Sequence, residues 1–257
     1  MSFSQDRDAE FRAGERNCAP HSNVHSYRHI DWQGQPLPLP IGKVVCIGQN
    51  YADHIAEMAS KTAPEALFFI KPSTALRPIT EPVMIPTQHG SVHNELEIAV
   101  LIAKPLVQAS PDEVAAGIWG YSLGLDLTLR DVQTRLKQLG RPWEIAKGFD
   151  GACPLAGFVP ANEIAKPQQL QFRLVVNGVA RQLGDATLMI RKISTLISEM
   201  SQFFSLLPGD VILTGTPAGV GPLQPGDQLT IELVNYFTVQ TYVCAVRSQA
   251  AAMQDNL

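Results

Sequence analysis

The ten residues Glu95-Leu96-Glu97-Ile98-Ala99-Val100-Leu101-Ile102-Ala103-Lys104 constrain this chain more than any others. Side chains alternate between the two faces of a strand. Leu96, Ile98, Val100 and Ile102 form one apolar face, and beyond Glu97 the other continues as Ala99, Leu101 and Ala103. A strand that is apolar on both faces is expected to be covered on both. The chain has the material for this. It has 257 residues, 45% of them apolar, and a chain of that size buries roughly three quarters of its unfolded surface.

The head of this strand is chemically out of place. Glu95 and Glu97 share one face at the edge of a core, where like charges need a cation or a proton. The plain alternative is that the strand begins in solvent and both carboxylates are simply exposed. Asp126, in Gly124-Leu125-Asp126-Leu127, sits inside another apolar stretch, where an unpaired carboxylate is costly. Its plain alternative is to cap the following helix, which Thr128 can do equally well. Three carboxylates with no cysteine nearby suit a hard cation held by oxygen, Mg²⁺ or Mn²⁺ rather than Zn²⁺.

Composition excludes several classes. The net charge is −4 and the pI about 5.9, and no basic stripe is visible, so no nucleic acid partner is expected. The uncharged tract 211–226 holds Pro217, Pro222 and Pro225, so it is not read as a membrane helix. Residues 1–16 lack the apolar region of a secretory signal. Cys18, Cys46, Cys153 and Cys244 are far apart. They indicate neither a zinc site nor a dense disulfide framework, and a reduced, cytoplasmic setting is expected.

Residues 1–26 are polar and aperiodic and read as a flexible N-terminal extension, leaving 27–257 as a single domain of α+β class. Strands are expected at 43–47, 67–70, 95–104, 118–127, 211–213, 228–233 and 238–246. Asn177-Gly178 marks a hairpin between 171–176 and 179–182. Ser110-Pro111-Asp112-Glu113 is a capping box opening a helix. Helical period marks 51–58, 128–139 and, as the longest candidate, 188–207.

Other residues carry candidate chemistry. His54 and Glu57 share a helical face, as a base oriented by a carboxylate or as a plain surface pair. Lys147 is either a solvated lysine or a cation placed where negative charge develops. Arg130 and Gln133 share a helix face, while Asp131 is read as a surface residue. The Gly-rich turn Leu213–Gly221 lacks the ending of a phosphate-binding loop. Its N–H groups and threonines suit a carboxylate, or its glycines merely serve a tight turn.

The stretches VVCIGQNYADHIAEM, FIKPSTAL, HNELEIAVLI, LDLTLRDVQ, PWEIAKGFDGACP, VNGVARQ and GDVILTGTPAGVGPL, in this order from about Ile41 to Val246, resemble the fumarylacetoacetate hydrolase superfamily. The likeness is to its short acylpyruvase-like and 2-hydroxyhepta-2,4-diene-1,7-dioate isomerase-like members. The resemblance implies a mixed β-roll with short flanking helices, and a divalent cation, usually Mg²⁺, on Glu95, Glu97 and Asp126. It implies a water-activating His54–Glu57 dyad on a mobile lid segment, with Lys147 beside the substrate oxyanion. Arg130 and Gln133 would position substrate or water, and Thr216 would bind a substrate carboxylate. A homodimer is also implied. Relatives often have Gly-Arg-Asn-Tyr where this chain has Gly48-Gln49-Asn50-Tyr51, so a cationic contact is missing there.

The leading expectation is a Mg²⁺-dependent hydrolase that cleaves a C–C bond in acylpyruvates or related 2-oxo acids, with oxaloacetate decarboxylation as a second activity. The alternative is a keto–enol tautomerase or isomerase acting on oxaloacetate or a hydroxymuconate-type diacid. A third reading is a non-catalytic metal-binding protein.

Overall fold

The computed structural model describes residues 27–58 and 64–246; the expected extension 1–26 lies outside the described residues. Leu96–Ile102 is buried throughout and occupies the middle of an eight-stranded mixed sheet. The sheet runs Leu67–Lys71, Val44–Gly48, Val211–Leu213, Leu96–Ile102, Ile118–Leu125, Cys153–Leu155, Leu76–Pro78, with Val159–Pro160 also paired to Ile118–Leu125. Val44–Gly48 and Val211–Leu213 run parallel, while both neighbours of the central strand are antiparallel to it.

The alternation read from the sequence holds in space. Leu96, Ile98, Val100 and Ile102 enter one core cluster, and Ala99 and Leu101 enter a second on the opposite face, with Val44, Cys46 and Leu213. A five-stranded sheet runs Val179–Asp185, Gln171–Val176, Gln228–Leu233, Phe237–Val246, Val83–Pro86. It contributes Leu174, Leu229, Ile231 and Leu233 to the first cluster. Gly221–Pro222, Val92–Asn94 and Thr128–Leu129 form a small third sheet. This is the mixed β-roll with short flanking helices.

Local signals behave as their chemistry dictates. The Ser110 capping box is present at the start of Pro111–Gly117. Asn177 and Gly178 both have positive φ, 51° and 78°, as a two-residue turn matched to strand twist needs. The expected strand 95–104 is shorter, Leu96–Ile102. The helix expected from Thr128 starts at Arg130, because Thr128 and Leu129 pair with His93 and Val92.

The largest departure is the helix expected over 188–207, which is only Ile193–Ser201. Its backbone groups are claimed elsewhere. Asp185 caps a tight turn at Ala186–Leu188, Met189 bridges to Tyr51, and Arg191 N donates to Asn50 Oδ1 at 2.7 Å. Beyond the helix, Leu206 and Leu106 exchange both main-chain hydrogen bonds. Buried backbone groups must be paired, and here tertiary partners outbid helical ones. Cys46 and Cys153 are buried free thiols. Among the described residues no helix is long and apolar enough to cross a membrane.

Candidate metal centre and active site

Strand register brings the three carboxylates together. Leu96 pairs with Leu125, so Glu95 and Asp126 flank the same end of the antiparallel pair, and Asp126 N donates to Glu95 O at 2.8 Å. Glu97 follows two residues along the central strand. Ligand oxygens of Glu95, Glu97 and Asp126 lie within 4.8 Å of one another. Their exposures of 5%, 1% and 1% remove the solvent-exposed alternative for the glutamates. The capping alternative for Asp126 also fails. The helix Arg130–Gln138 has Leu129 at its N-cap and no side-chain cap, and Thr128 Oγ1 donates to Asp126 O at 3.0 Å.

Three cations surround the triad. Lys147 Nζ lies 2.7 Å from Glu95 Oε2 and 2.6 Å from Asp126 Oδ2. Arg130 pairs with Glu95 Oε1 and donates to Gln133 Oε1 at 2.6 Å. Lys71 Nζ lies 2.7 Å from Asp126 Oδ1 and donates to Leu127 O at 3.3 Å, Ala152 O at 3.0 Å and Lys147 O. The sequence left open whether Lys147 is solvated; it is buried.

The carboxylates are tuned in opposite directions. Burial alone raises Glu95, but Lys147 and Arg130 overcome it and hold the acid well below the usual range. Glu97 is pushed well above that range by burial, Asp126 and Glu95, against Lys147 and an N–H bond from Gly215 at 2.6 Å. Burial pulls Lys147 down, but Asp126 and Glu95 more than reverse it and keep the ammonium charged. Asp126 Oδ1 accepts no well-directed hydrogen bond despite its ion pair with Lys71. Repelling buried carboxylates with spare lone pairs fit a hard divalent cation.

The Gly-rich turn does hold carboxylates, but they are the protein's own. Gly215 N donates to Glu97 Oε2, and Gly219 N donates to Glu57 Oε1 at 3.0 Å. The glycines are also needed sterically. At φ +96°, a Cβ on Gly215 would stand 2.6 Å from Asn50 Cβ; at φ +100°, one on Gly219 would stand 1.8 Å from Arg181 O.

Glu57 in turn orients His54 on the helix Ala52–Glu57, with His54 Nδ1 to Glu57 Oε2 at 3.3 Å. An ionised carboxylate only accepts, so Nδ1 carries the hydrogen and Nε2 is left as the basic nitrogen. His54 and the triad line one cleft, together with Gln133, Lys147, Thr216 and Gln49.

Asp131 is exposed, as read, and its Oδ2 accepts from Ser91 N at 2.7 Å. Thr216 reaches the cleft, but its hydroxyl is already engaged with Leu96 O at 2.9 Å and Gln182 Nε2 at 2.7 Å. Lys71 and Gln182 were missed. A lysine closing the apolar run LFFIK, and a glutamine on the inward register of its strand, were the signals available.

A buried carboxylate triad facing a histidine–glutamate pair across one cleft defines a candidate metal-dependent enzyme of the mixed β-roll type. Residues 43–245 match the family model described as Fumarylacetoacetate (FAA) hydrolase C-terminal, and the chain belongs to this family. It is 54% identical over 206 residues to oxaloacetate tautomerase YcgM of Escherichia coli strain K12, covering 80% of this chain and 94% of that protein. A fumarylacetoacetate hydrolase family protein from Yersinia pestis CO92 superposes with a TM-score of 0.83 at 54% identity, covering 84% of this chain and all of the other. Fumarylpyruvate hydrolase from Pseudomonas aeruginosa, in complex with Mn²⁺ and pyruvate, superposes with a TM-score of 0.80 at 33% identity, covering 86% and 96%. Relatives thus include both a tautomerase and a hydrolase.

Proposed function

We propose that the protein is a divalent-metal-dependent oxaloacetate tautomerase, interconverting keto and enol forms of a small 2-oxo diacid. The observation that carries the choice of reaction is the 54% identity, over four fifths of the chain, to an oxaloacetate tautomerase. This favours the alternative over the C–C hydrolase that led the sequence reading.

The site chemistry supports the reading. Glu95, Glu97 and Asp126 would hold the cation, Mg²⁺ or Mn²⁺. When bound, it would supply Lewis-acid stabilisation of negative charge on an enolate oxygen. His54 Nε2 carries the proton between the enol oxygen and the carbon beside it: in ketonisation it takes the hydroxyl proton and delivers it to carbon, and in the reverse direction it moves the carbon proton to oxygen. Glu57 fixes the histidine tautomer that makes this possible, and Gly219 N–H fixes Glu57. Lys147, kept charged by its two carboxylate partners, adds positive potential beside the developing charge. Arg130 and Gln133, locked together, orient the substrate. Tautomerisation needs these proton carriers and no attacking water.

Hydrolysis of acylpyruvates is the second reading, favoured by the likeness to fumarylpyruvate hydrolase. One preparation assayed with Mg²⁺ on both substrates separates them. The proposal expects faster enol-oxaloacetate ketonisation and little pyruvate release from acetylpyruvate. Rapid pyruvate release without ketonisation would reverse the assignment.

A further inference from the structure

Arg130, Lys137 and Lys147 all line the cleft, but they are not equally free. Arg130 pairs with Glu95, and Lys147 pairs with Glu95 and Asp126. Lys137 is exposed, and among the described residues it has no carboxylate partner. His54 lines the cleft too, but a base must be neutral to take a proton. Lys137 is therefore the cleft's uncommitted cation.

Two features aim it there. On the helix Arg130–Gln138, residues 130, 133 and 137 stand at i, i+3 and i+7 and share a face. Lys137 thus continues the row begun by Arg130 and Gln133, about 6 Å beyond Gln133 along the axis. An aromatic wall then holds the ammonium. Lys147 Nζ stands 4.9 Å from the centroid of the Phe69 ring. The rings of Phe69 and Trp143 lie 6.0 Å apart, and Lys137 Nζ stands 5.8 Å from the Trp143 centroid. Both rings line the cleft. The wall carries a cation at each end, the inner one bound to the triad and the outer one open. A ring face attracts an ammonium without using up its three hydrogens.

A ligand with two charged ends gives the outer cation a use. A 2-oxo acid held by its 2-oxo end at the triad carries any second carboxylate away from it. That carboxylate leaves bulk water on entering the cleft and needs a partner. Gln49, Met58 and Leu67, also in the lining, are uncharged.

We infer that Lys137 recognises the second carboxylate of a 2-oxo diacid, and is the residue by which the cleft prefers diacids to monoacids. Its flexible four-carbon stem lets the charge follow the ligand. The inference rests on the proposed function for the class of substrate.

Malate and lactate are the probes. Both are stable 2-hydroxy acids, and malate differs from lactate by its second carboxylate. Their Kd values for the Mg²⁺-loaded protein are read by isothermal titration calorimetry. Wild type is expected to prefer malate. An exposed ion pair is worth up to about fivefold in affinity. In Lys137→Met the preference should fall by about threefold or more, through malate alone. Methionine is a good helix former, so the exposed site tolerates it. Lys137→Arg should keep the preference and Lys137→Glu should lower it further.

An unchanged preference in Lys137→Met would overturn the inference and leave a solvated lysine resting on Trp143. Equal weakening of both ligands would also overturn it, since Lys137 would then act on the site as a whole. So would a wild type that binds the two acids alike. Neither Kd depends on turnover. Malate preference lost as expected in Lys137→Met, from a protein that leaves enol-oxaloacetate at its uncatalysed rate, contradicts the proposed function alone. Ketonisation by wild type with an unchanged preference in Lys137→Met contradicts this inference alone.

Discussion

The ammonium of Lys71 lies 2.7 Å from Asp126 Oδ1, with both side chains essentially sealed from solvent. Lys71 also donates to the carbonyls of Leu127, Lys147 and Ala152. One cation therefore ties the end of Leu67–Lys71 to the segments carrying Asp126 and Lys147. Removing one partner of a buried ion pair costs about 3–5 kcal/mol. Lys71→Met is expected to lower Tm by at least about 6 °C, at roughly 2–4 °C per kcal/mol for a chain of this size. Circular dichroism melting checks this, and an unchanged Tm would show that Asp126 does not depend on Lys71.

Glu97 stands in repulsion with Asp126 and Glu95, so a bound divalent cation should relieve strain in the folded state. Mg²⁺ at about a hundred times its Kd should add about 2.7 kcal/mol to stability by mass action. The rise in Tm with Mg²⁺ should vanish with EDTA and be much reduced in Glu97→Gln. Calorimetric titration of Mg²⁺ into both proteins provides an independent reading. Equal affinity in the variant would remove Glu97 from the ligand set.

His54 lies on a helix with no buried residue, so its role is separable from folding. His54→Ala should keep the wild-type Tm while losing about 10²- to 10⁴-fold in kcat, the usual contribution of a positioned acid–base group. Glu57→Gln should lose less, since it alters tautomer and orientation rather than removing the proton carrier. Steady-state ketonisation rates check both.

How much of this was legible follows from where each partner lies in the chain. The central strand and triad could be read because alternation encodes burial, and a carboxylate inside an apolar run is anomalous wherever it occurs. Asn177-Gly178 could be read because the turn is complete in two residues. Lys71 and Gln182 could not, because what makes each one matter is a partner 56 and 86 positions away. The same reason shortened the helix expected over 188–207. Its helical period is present, but Asn50 and Leu106 claim its flanks from far upstream.

His29 supplies a pH dependence of stability. It is buried between Tyr27 Oη, 3.1 Å from Nδ1, and Gly209 O, 3.0 Å from Nε2. A neutral ring with its hydrogen on Nε2 satisfies both. Burial lowers its pKa, against raising contributions from the Gly209 and Pro40 carbonyls and Asp210. Below the ordinary histidine value the unfolded chain takes up a proton that the folded chain resists. Stability is therefore full above that value and falls as pH drops through it toward the folded pKa. Urea midpoints at pH 7.5 and 5.5 should show a loss in the wild type that is smaller in His29→Gln. A larger loss in the variant would reverse the sign.

The most direct test of the central claim is the decay of enol absorbance after enol-oxaloacetate is mixed with the protein, across a Mg²⁺ titration, for wild type and Glu97→Gln. The account predicts acceleration over the uncatalysed rate that saturates with Mg²⁺ in the wild type, disappears with EDTA and is largely lost in the variant. Decay at the uncatalysed rate in Mg²⁺-loaded wild-type protein would contradict it.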